Sequence, residues 1–430
     1  MLELGLPLML LALLLALGVH IGPSLALAGF VGLTVIASPE IAYRALGRSA
    51  FFGSSDYVLS TVPMFVLMAE FLVGGRMSER LFRSANVWTA RLPGGLALAT
   101  IGASAGMGAI SGVSAASSAT MSAVAVPEMR KHGYDDRLSL GAVAAGGTLS
   151  VLIPPSVTLI VFGVLTESSI TGLFLAGLVP GLLTAVAYGA VVLIWVAARP
   201  QLAPRSPRFT PKEMLTGLIG VWPVLVLFFG ILGGLYAGVM TATEAGALGA
   251  AGALVISALF GSLNLREFAN AVQRAIRTTC MIFLILVGAN LFADYLSLTR
   301  VAQDLVGLVT THDLAKALVL LALIALLFLL GMFLDTLSVL VLTVPMVYPL
   351  LTALEYDALW IGIFMVKLIE IGLITPPIGM NVFTAVGALK SASIEKAFAG
   401  SSRFVLAELV IVAALIMAPA LALWLPGTMN

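Results

Sequence analysis

The stretch GTLSVLIPPSVTLIVFG, residues 147 to 163, decides how the chain is read: it is apolar enough to enter a bilayer, yet carries Pro154 and Pro155 at its middle. A second stretch, IGLITPPIGMNVFTAVG, covers residues 371 to 387. Its prolines, Pro376 and Pro377, fall 222 positions after the first pair (376 − 154 = 222), and the same shift lays Pro127 on Pro349, Tyr134 on Tyr356 and Asp135 on Asp357. The chain is an internal repeat. A proline within a helix offers no N–H to the carbonyl four residues back, so Pro154 frees the C=O of Ser150 and Pro376 frees that of Gly372. The preceding residues, Ile153 and Thr375, are pushed out of the α region. Inside a bilayer an unsatisfied polar group costs several kcal/mol, so such carbonyls must find partners. A kinked structural helix is one reading of a single such stretch. Two at matched repeat positions point instead to a transporter site, where unwound carbonyls coordinate a cation.

Composition sets the class. With 60% hydrophobic and 10% charged residues over 430 positions and a mean hydropathy of +1.11, the chain is not a soluble globular protein. Continuous apolar runs of about twenty residues, rather than alternating segments of about ten, select helices over a β-barrel. A net charge of +1 gives no footing for nucleic acid. The single Cys280 excludes an internal disulfide and a cysteine metal cluster. His20, His132 and His312 lie far apart near expected span ends, without metal-ligand spacing. The apolar start, residues 4 to 19, lacks the basic region of a signal peptide and apolar sequence resumes at Ile21, so both runs are expected as retained spans.

Spans are expected at 2–19, 21–37, 57–75, 171–198, 215–237, 240–260, 278–297 and 404–424, with the two broken helices at about 137–165 and 358–388. Residues 38–56 read as a loop. The segment 77–95, with Arg80, Arg83 and Arg91 between apolar residues, fits either a helix lying in the membrane interface or a solvated loop. From Pro93 to Pro127 the chain is too long for one span and too short for two with a turn. Its middle, GAISGVSAASSAT (108–120), is small and hydroxyl-rich. Small residues also mark close helix packing. The length favours a re-entrant hairpin over about 93–128, with its tip at Ser111-Gly112-Val113-Ser114, because irregular backbone at membrane depth must be buried or line a cavity. The segment 316–350 repeats the length problem around GMFLDTLSVL (331–340), and the repeat shift lays Thr336 on Ser114. The expected fold is an all-α polytopic membrane protein of about ten transmembrane helices plus two re-entrant hairpins. Its repeats, 1–198 and 215–430, are joined by the proline-rich basic linker RPQLAPRSPRFTPKE within 199–214.

Loops 76–92, 199–213, 262–277 and 390–403 each carry a basic excess, which places them in the cytoplasm. That choice satisfies all ten spans and puts both ends of the first hairpin inside and both ends of the second outside. EMRKHGYDDR (128–137) has three basic residues besides its histidine, and its copy LTALEYDALW (351–360) has none. The repeats are therefore expected to be inverted, with both chain termini outside.

Ionisable residues at membrane depth are functional candidates by default. Glu70, Glu244, Asp294, Asp335, Lys367 and Glu370 qualify. Glu244 also ends Thr241-Ala-Thr-Glu244, a capping box. Lys367 and Glu370, three apart, can pair on one helix or serve a site. Asp335 at the second tip can cap the following half-helix and offer a carboxylate to a cation.

At these residues the chain resembles the large membrane subunit of tripartite ATP-independent periplasmic (TRAP) transporters, a family of dicarboxylate and sialate importers. The resemblance rests on VPMFVLMAEFL (62–72), the SG-x-S hairpin followed by VPEM-x-x-x-GYD (126–135), IPPS (153–156), T-x-TEA (241–245) and EIGLITPPIGMN (370–381), and it covers essentially the whole chain. More distantly, hairpin tip plus double-proline helix is similar to sodium-coupled dicarboxylate carriers. Those typically hold an Asn in the tip, where Gly112 and Leu334 stand here. The resemblance implies a sodium-driven secondary importer of a small carboxylate in a bacterial inner membrane, working with a small four-helix membrane subunit and a periplasmic substrate-binding protein. It also implies an elevator motion, in which both hairpins and both broken helices slide as a block. A stand-alone di- or tricarboxylate carrier is the alternative. No Walker motif is present, and no enzyme chemistry is expected.

Sodium ions are the expected coupling ions. The first cage is expected from Ser111 with the carbonyls of Ser150, Ile153 and Pro155, and the second from Asp335 or Thr336 with those of Gly372, Thr375 and Pro377. Ser114, Gly112, Thr336 and Asn381 are the candidate substrate contacts.

Overall fold

The computed structural model describes residues 2–204, 209–260, 263–312 and 315–429, and its regular secondary structure among these is helical throughout. The first hairpin is the pair Gly95–Ser111 and Ser114–Lys131, and the second is Lys316–Phe333 and Thr336–Ala353. Each is followed by a broken helix: Asp136–Leu152 then Val157–Thr166, and Ala358–Leu373 then Met380–Gly387. The repeat-matched aspartates explain where these helices start. Asp135 accepts from the N–H of Arg137 at 2.7 Å and Asp357 from that of Leu359 at 2.8 Å, each as an N-cap. Past the first break Ser156 caps the second half, accepting from Leu159 N–H at 3.3 Å. The two halves of the first broken helix are bent by 41°.

Each broken helix runs from the base of its own hairpin to the base of the other. At the first base the hydroxyl of Tyr134 accepts from Leu96 N–H at 3.3 Å. Val157–Thr166 then packs along the second hairpin's Thr336–Ala353, with the Phe162 and Tyr348 rings 6.0 Å apart. Met380–Gly387 packs along Ser114–Lys131, where the Ser122 hydroxyl donates to the Ala385 carbonyl at 2.5 Å, and Arg130 closes the end by donating to the Ser391 carbonyl at 2.7 Å. The hairpins therefore enter from opposite ends, and the two repeats are inverted.

Seven described helices are by themselves long and apolar enough to cross a membrane, two of them the arms of the second hairpin, and the bent pair makes an eighth. Leu2–Ala16, Ile21–Ile36 and Trp222–Tyr236 occupy three further expected positions as helices of 15, 16 and 15 residues. Residues 38–56, expected as a loop, instead hold the helix Pro39–Ser55. Ser38 caps it by accepting from Ile41 N–H at 3.3 Å, and Pro39 sits where its missing N–H is harmless. Hydropathy overlooked it because a polar amphipathic helix does not stand out as an apolar run. The segment after Arg76, open in the sequence between an interfacial helix and a loop, is the helix Met77–Thr89, with Met77, Leu81, Phe82 and Val87 buried. Span 278–297 is the end of a 35-residue helix, Leu265–Thr299. Span 404–424 begins at Ile394 and stops at Met417, two residues before Pro419. In the linker, Pro200–Leu202 forms a short 3-10 turn and Pro211 already starts a helix to Ile219, while residues 205–208 lie outside the described residues.

Candidate functional site

At the first hairpin tip the chain turns through Gly112, whose φ of +60° is in the left-handed region. A Cβ at Gly112 would stand 2.7 Å from the carbonyl oxygen of Pro155, so the tip lies directly on the break in the first broken helix. One turn earlier, a Cβ on Gly108 would meet the Cα of Ser150 at 3.0 Å. Glycine at both positions is what lets hairpin and break touch. The Ser111 hydroxyl shares a hydrogen bond with that of Ser117 at 2.9 Å and donates to the Val113 carbonyl at 3.2 Å. Ile153 is extended (φ −82°, ψ 115°), as the following proline requires. Ser111 thus stands beside the break that carries Ser150, Ile153 and Pro155. The Ser150 hydroxyl is buried without a hydrogen-bond partner among the described residues, a polar group that fits a cation cage.

The second tip repeats the arrangement with different contacts. A Cβ on Gly372 would meet the Cα of Gly331 at 2.6 Å, and past the break the N–H of Gly379 donates to the Met332 carbonyl at 3.1 Å. Both proline pairs are joined by cis peptide bonds. The Gly372 carbonyl, expected to be freed by Pro376, accepts from Thr375 N–H at 3.0 Å, because the chain tightens into a three-residue turn as it leaves the helix. The Thr375 hydroxyl turns back to the Ile371 carbonyl at 2.7 Å, and Pro377 is exposed. Asp335 is an N-cap, accepting from the N–H groups of Leu337 and Ser338 at 3.1 and 3.3 Å and from the Ser338 hydroxyl. It lines a cavity of about 770 Å³ together with Ser338, Met380, His20 and Cys280.

Glu370, fully buried on the second broken helix, joins the two tips. It accepts from the Ser114 hydroxyl at 2.7 Å and from the Thr336 hydroxyl at 2.7 Å. These two residues begin the second arm of each hairpin, so two helix N-termini converge on one carboxylate. Asn381, also buried, donates from its amide to the Ser114 oxygen at 2.7 Å, and its own carbonyl oxygen has no partner among the described residues. A side-chain amide therefore does reach the first tip, supplied by the other repeat rather than by residue 112. Ser114, Thr336, Asn381 and Glu370 form one connected cluster.

Lys367 and Glu370 do not pair. Lys367 instead makes an ion pair with Glu408 and donates to the Thr184 hydroxyl at 2.8 Å. Glu408 also accepts from the Tyr188 hydroxyl, which meets that of Thr148 at 2.9 Å. Lys367, Glu408 and Tyr188 are all fully buried. The pair satisfies two charges that would each be costly alone, and it ties the two broken helices together through Thr148 on one and Lys367 on the other. Glu408 was missing from the sequence-based candidates. Its place in the apolar run FVLAELVIVAALIM (404–417) was the available signal. Tyr188 and Thr184 carried none.

The other ionisable candidates have structural partners. Glu70 pairs with Arg274 at 2.6 Å and Asp294 with Arg48 at 2.7 Å. Glu244 completes its capping box, accepting from Thr241 N–H at 2.8 Å while Thr241 accepts from Glu244 N–H at 3.3 Å.

Residues 8–421 match the family described as the tripartite ATP-independent periplasmic transporter, DctM component. The chain is 34% identical, over 84% of each chain, to the C4-dicarboxylate TRAP transporter large permease protein DctM of Pseudomonas aeruginosa. It is 33% identical to the isethionate TRAP transporter permease protein DctMQ of Oleidesulfovibrio alaskensis, over 90% of this chain and 60% of that protein. In fold it is similar to the YdaH transporter of Alcanivorax borkumensis, at a TM-score of 0.59 and 14% identity over 90% of each chain. With inverted hairpins meeting at matched helix breaks and a family match across nearly its whole length, the chain belongs to the DctM component family of TRAP transporters, as a multi-pass permease subunit and not an enzyme.

Proposed function

We propose that this subunit carries a small organic anion, of the carboxylate class, across the bacterial inner membrane at the expense of a sodium gradient. A periplasmic binding protein delivers the substrate, and a small four-helix membrane subunit completes the transporter. The observation that carries the reading is the convergence of both hairpin tips on buried Glu370, each tip resting on a double-proline break. Glu370 already meets the two helix N-termini, so the carboxylate class follows from the C4-dicarboxylate relative, while the oxygens at the first break, beside the unpartnered Ser150 hydroxyl, suit a hard cation. The first sodium site is assigned to Ser111 with Ser150, Ile153 and Pro155. The second is assigned to Thr336 or Asp335 with Gly372, Thr375 and Pro377. Gly112, Ser114 and Asn381 border the substrate site with Thr336.

Because Glu370 and the Lys367–Glu408 pair bind both broken helices and both tips into one buried unit, alternating access moves that unit as a block against the remaining helices. The test is substrate uptake into proteoliposomes holding this subunit and the small subunit, with an imposed sodium gradient and purified binding protein outside. Uptake is expected only with the gradient and the binding protein both present. Gradient-driven uptake without binding protein would replace the tripartite reading by a stand-alone carrier, and uptake indifferent to sodium would remove the ion assignment.

A further inference from the structure

The sodium site assigned to the first break draws on the carbonyls of Ser150, Ile153 and Pro155, and carbonyls on an unwound stretch serve an ion only where that stretch is held to within about 0.5 Å. At the second break the helix that follows, Ile394–Met417, does this directly: the Ser401 hydroxyl donates to the Ile374 carbonyl at 2.8 Å. At the first break the matching helix, Ile170–Ala198, presents glycines instead. A Cβ at Gly177 would stand 2.5 Å from the Leu152 carbonyl oxygen, and one at Gly181 would stand 3.0 Å from the Ile153 side chain. Contact this close leaves no side chain there to bond the break, so the group that fixes it sits further along the helix.

One turn beyond Gly181, on the same face of that helix, is Thr184, and one turn further is Tyr188. Thr184 donates its proton to the Pro180 carbonyl at 2.8 Å and accepts from the Lys367 ammonium at 2.8 Å. Tyr188 donates to Glu408. On the broken helix itself, the Thr148 hydroxyl lies 2.9 Å from that of Tyr188 and 3.4 Å from Glu408, two residues before Ser150. Lys367 and Glu408, paired with each other, thus fasten both elements that meet at the first break. All five side chains are fully buried, so water does not compete for these bonds.

The repeat shift lays Lys367 on Ala145 (367 − 222 = 145), so the other copy of the broken helix folds with no charge at that position. Apolar side chains of similar volume are often as stable as a buried ion pair, or more so. What the ion pair adds is direction: hydrogen bonds set where a group sits, while apolar contacts let it slide.

We propose that Lys367 and Glu408 are positioning residues for the first sodium site. Through Thr184, Tyr188 and Thr148 they hold helix Ile170–Ala198 against the break and fix the stretch that carries the Ser150 and Ile153 carbonyls. Neither touches the ion. The role rests on the assignment of sodium to that break.

The test is sodium binding to the detergent-purified complete transporter, read as the rise in melting temperature with sodium at constant ionic strength, together with sodium activation of uptake in proteoliposomes. K367M/E408M keeps the packing and gives up the directed bonds. It is expected to melt close to wild type without sodium, yet to need about tenfold more sodium for the half-maximal effect in both readouts, the low end for partners just outside a metal's ligands. T148V is expected to need about two- to tenfold more, the range for one hydrogen bond, and T148S to stay at wild type. E70Q/R274Q removes an ion pair outside the site and should leave sodium dependence unchanged. Wild-type sodium dependence in K367M/E408M or in T148V overturns the role, and so does a loss in T148S equal to that in T148V. Should K367M/E408M not fold, T148V and T148S decide between the same two results. Wild-type protein indifferent to sodium sinks the site assignment itself, and this role with it.

Discussion

Replacing Glu370 tests whether the two hairpin tips act through one group. The carboxylate accepts one hydroxyl from each repeat, both at 2.7 Å and both buried. A hydrogen bond contributes about 0.5 to 1.5 kcal/mol net, so Glu370→Ala removes about 1 to 3 kcal/mol of tip-to-tip contact. Glu370→Gln keeps one acceptor oxygen but turns an NH2 group toward the other hydroxyl. If that is Ser114, the new N–H donor faces its O–H, which must turn away and give up the bond it donates to residue 370. The expected result is a two- to tenfold loss (about 0.5 to 1.5 kcal/mol) in sodium-dependent uptake by Glu370→Gln in proteoliposomes. Ser114→Ala and Thr336→Ala should each lose a comparable amount, while Thr336→Ser keeps most activity. The decisive measurement is the cycle: if Ser114 acts through Glu370, then Ser114→Ala in the Glu370→Ala background should cost less than about 0.5 kcal/mol more. Fully additive losses, or wild-type sodium dependence in Glu370→Gln, would refute the shared-carboxylate reasoning.

Gly112→Ala places a Cβ 2.7 Å from the Pro155 carbonyl at a φ of +60°, so the tip must shift off the break. A backbone cost of about 1 to 2 kcal/mol is expected, with weakened sodium activation of uptake and a lowered melting temperature in detergent. Lys367→Met leaves Glu408 buried without its ion-pair partner and should cost about 3 to 5 kcal/mol, whereas Lys367→Met with Glu408→Met should recover most of it in the same melting assay. Inverted topology is checked by cysteine labelling in a Cys280→Ser background. A cysteine at Lys131 should react only from the cytoplasm, one at Ala353 only from outside, and labelling of both from one face would contradict the inversion.

The repeat, the two hairpins and the breaks were legible in the sequence because each rests on a strong local rule. Proline lacks an N–H, a run of one and a half span lengths cannot cross once or twice, and a positive-inside bias reverses between copies. Asp335 was readable as a cap for the same reason, because a cap is made within three residues, and the structure shows the repeat-matched Asp135 and Asp357 capping in the same way. The helix Pro39–Ser55 escaped because its polar amphipathic character carries little hydropathy signal, although Ser38-Pro39 is a helix start.

What only the tertiary structure decided is which side chains meet. Spacing allowed Lys367 and Glu370 to pair, but two other helices bring Glu408 and Thr184 to Lys367, with Tyr188 on Glu408, while hairpins from opposite ends of the molecule bring Ser114 and Thr336 to Glu370. Asn381 reaches a tip 267 residues earlier in the chain. Contacts across such separations follow from how inverted repeats interleave. Burial then enforces them, since a charge or hydroxyl enclosed in apolar surroundings takes the partner within reach in space and not the neighbour in sequence.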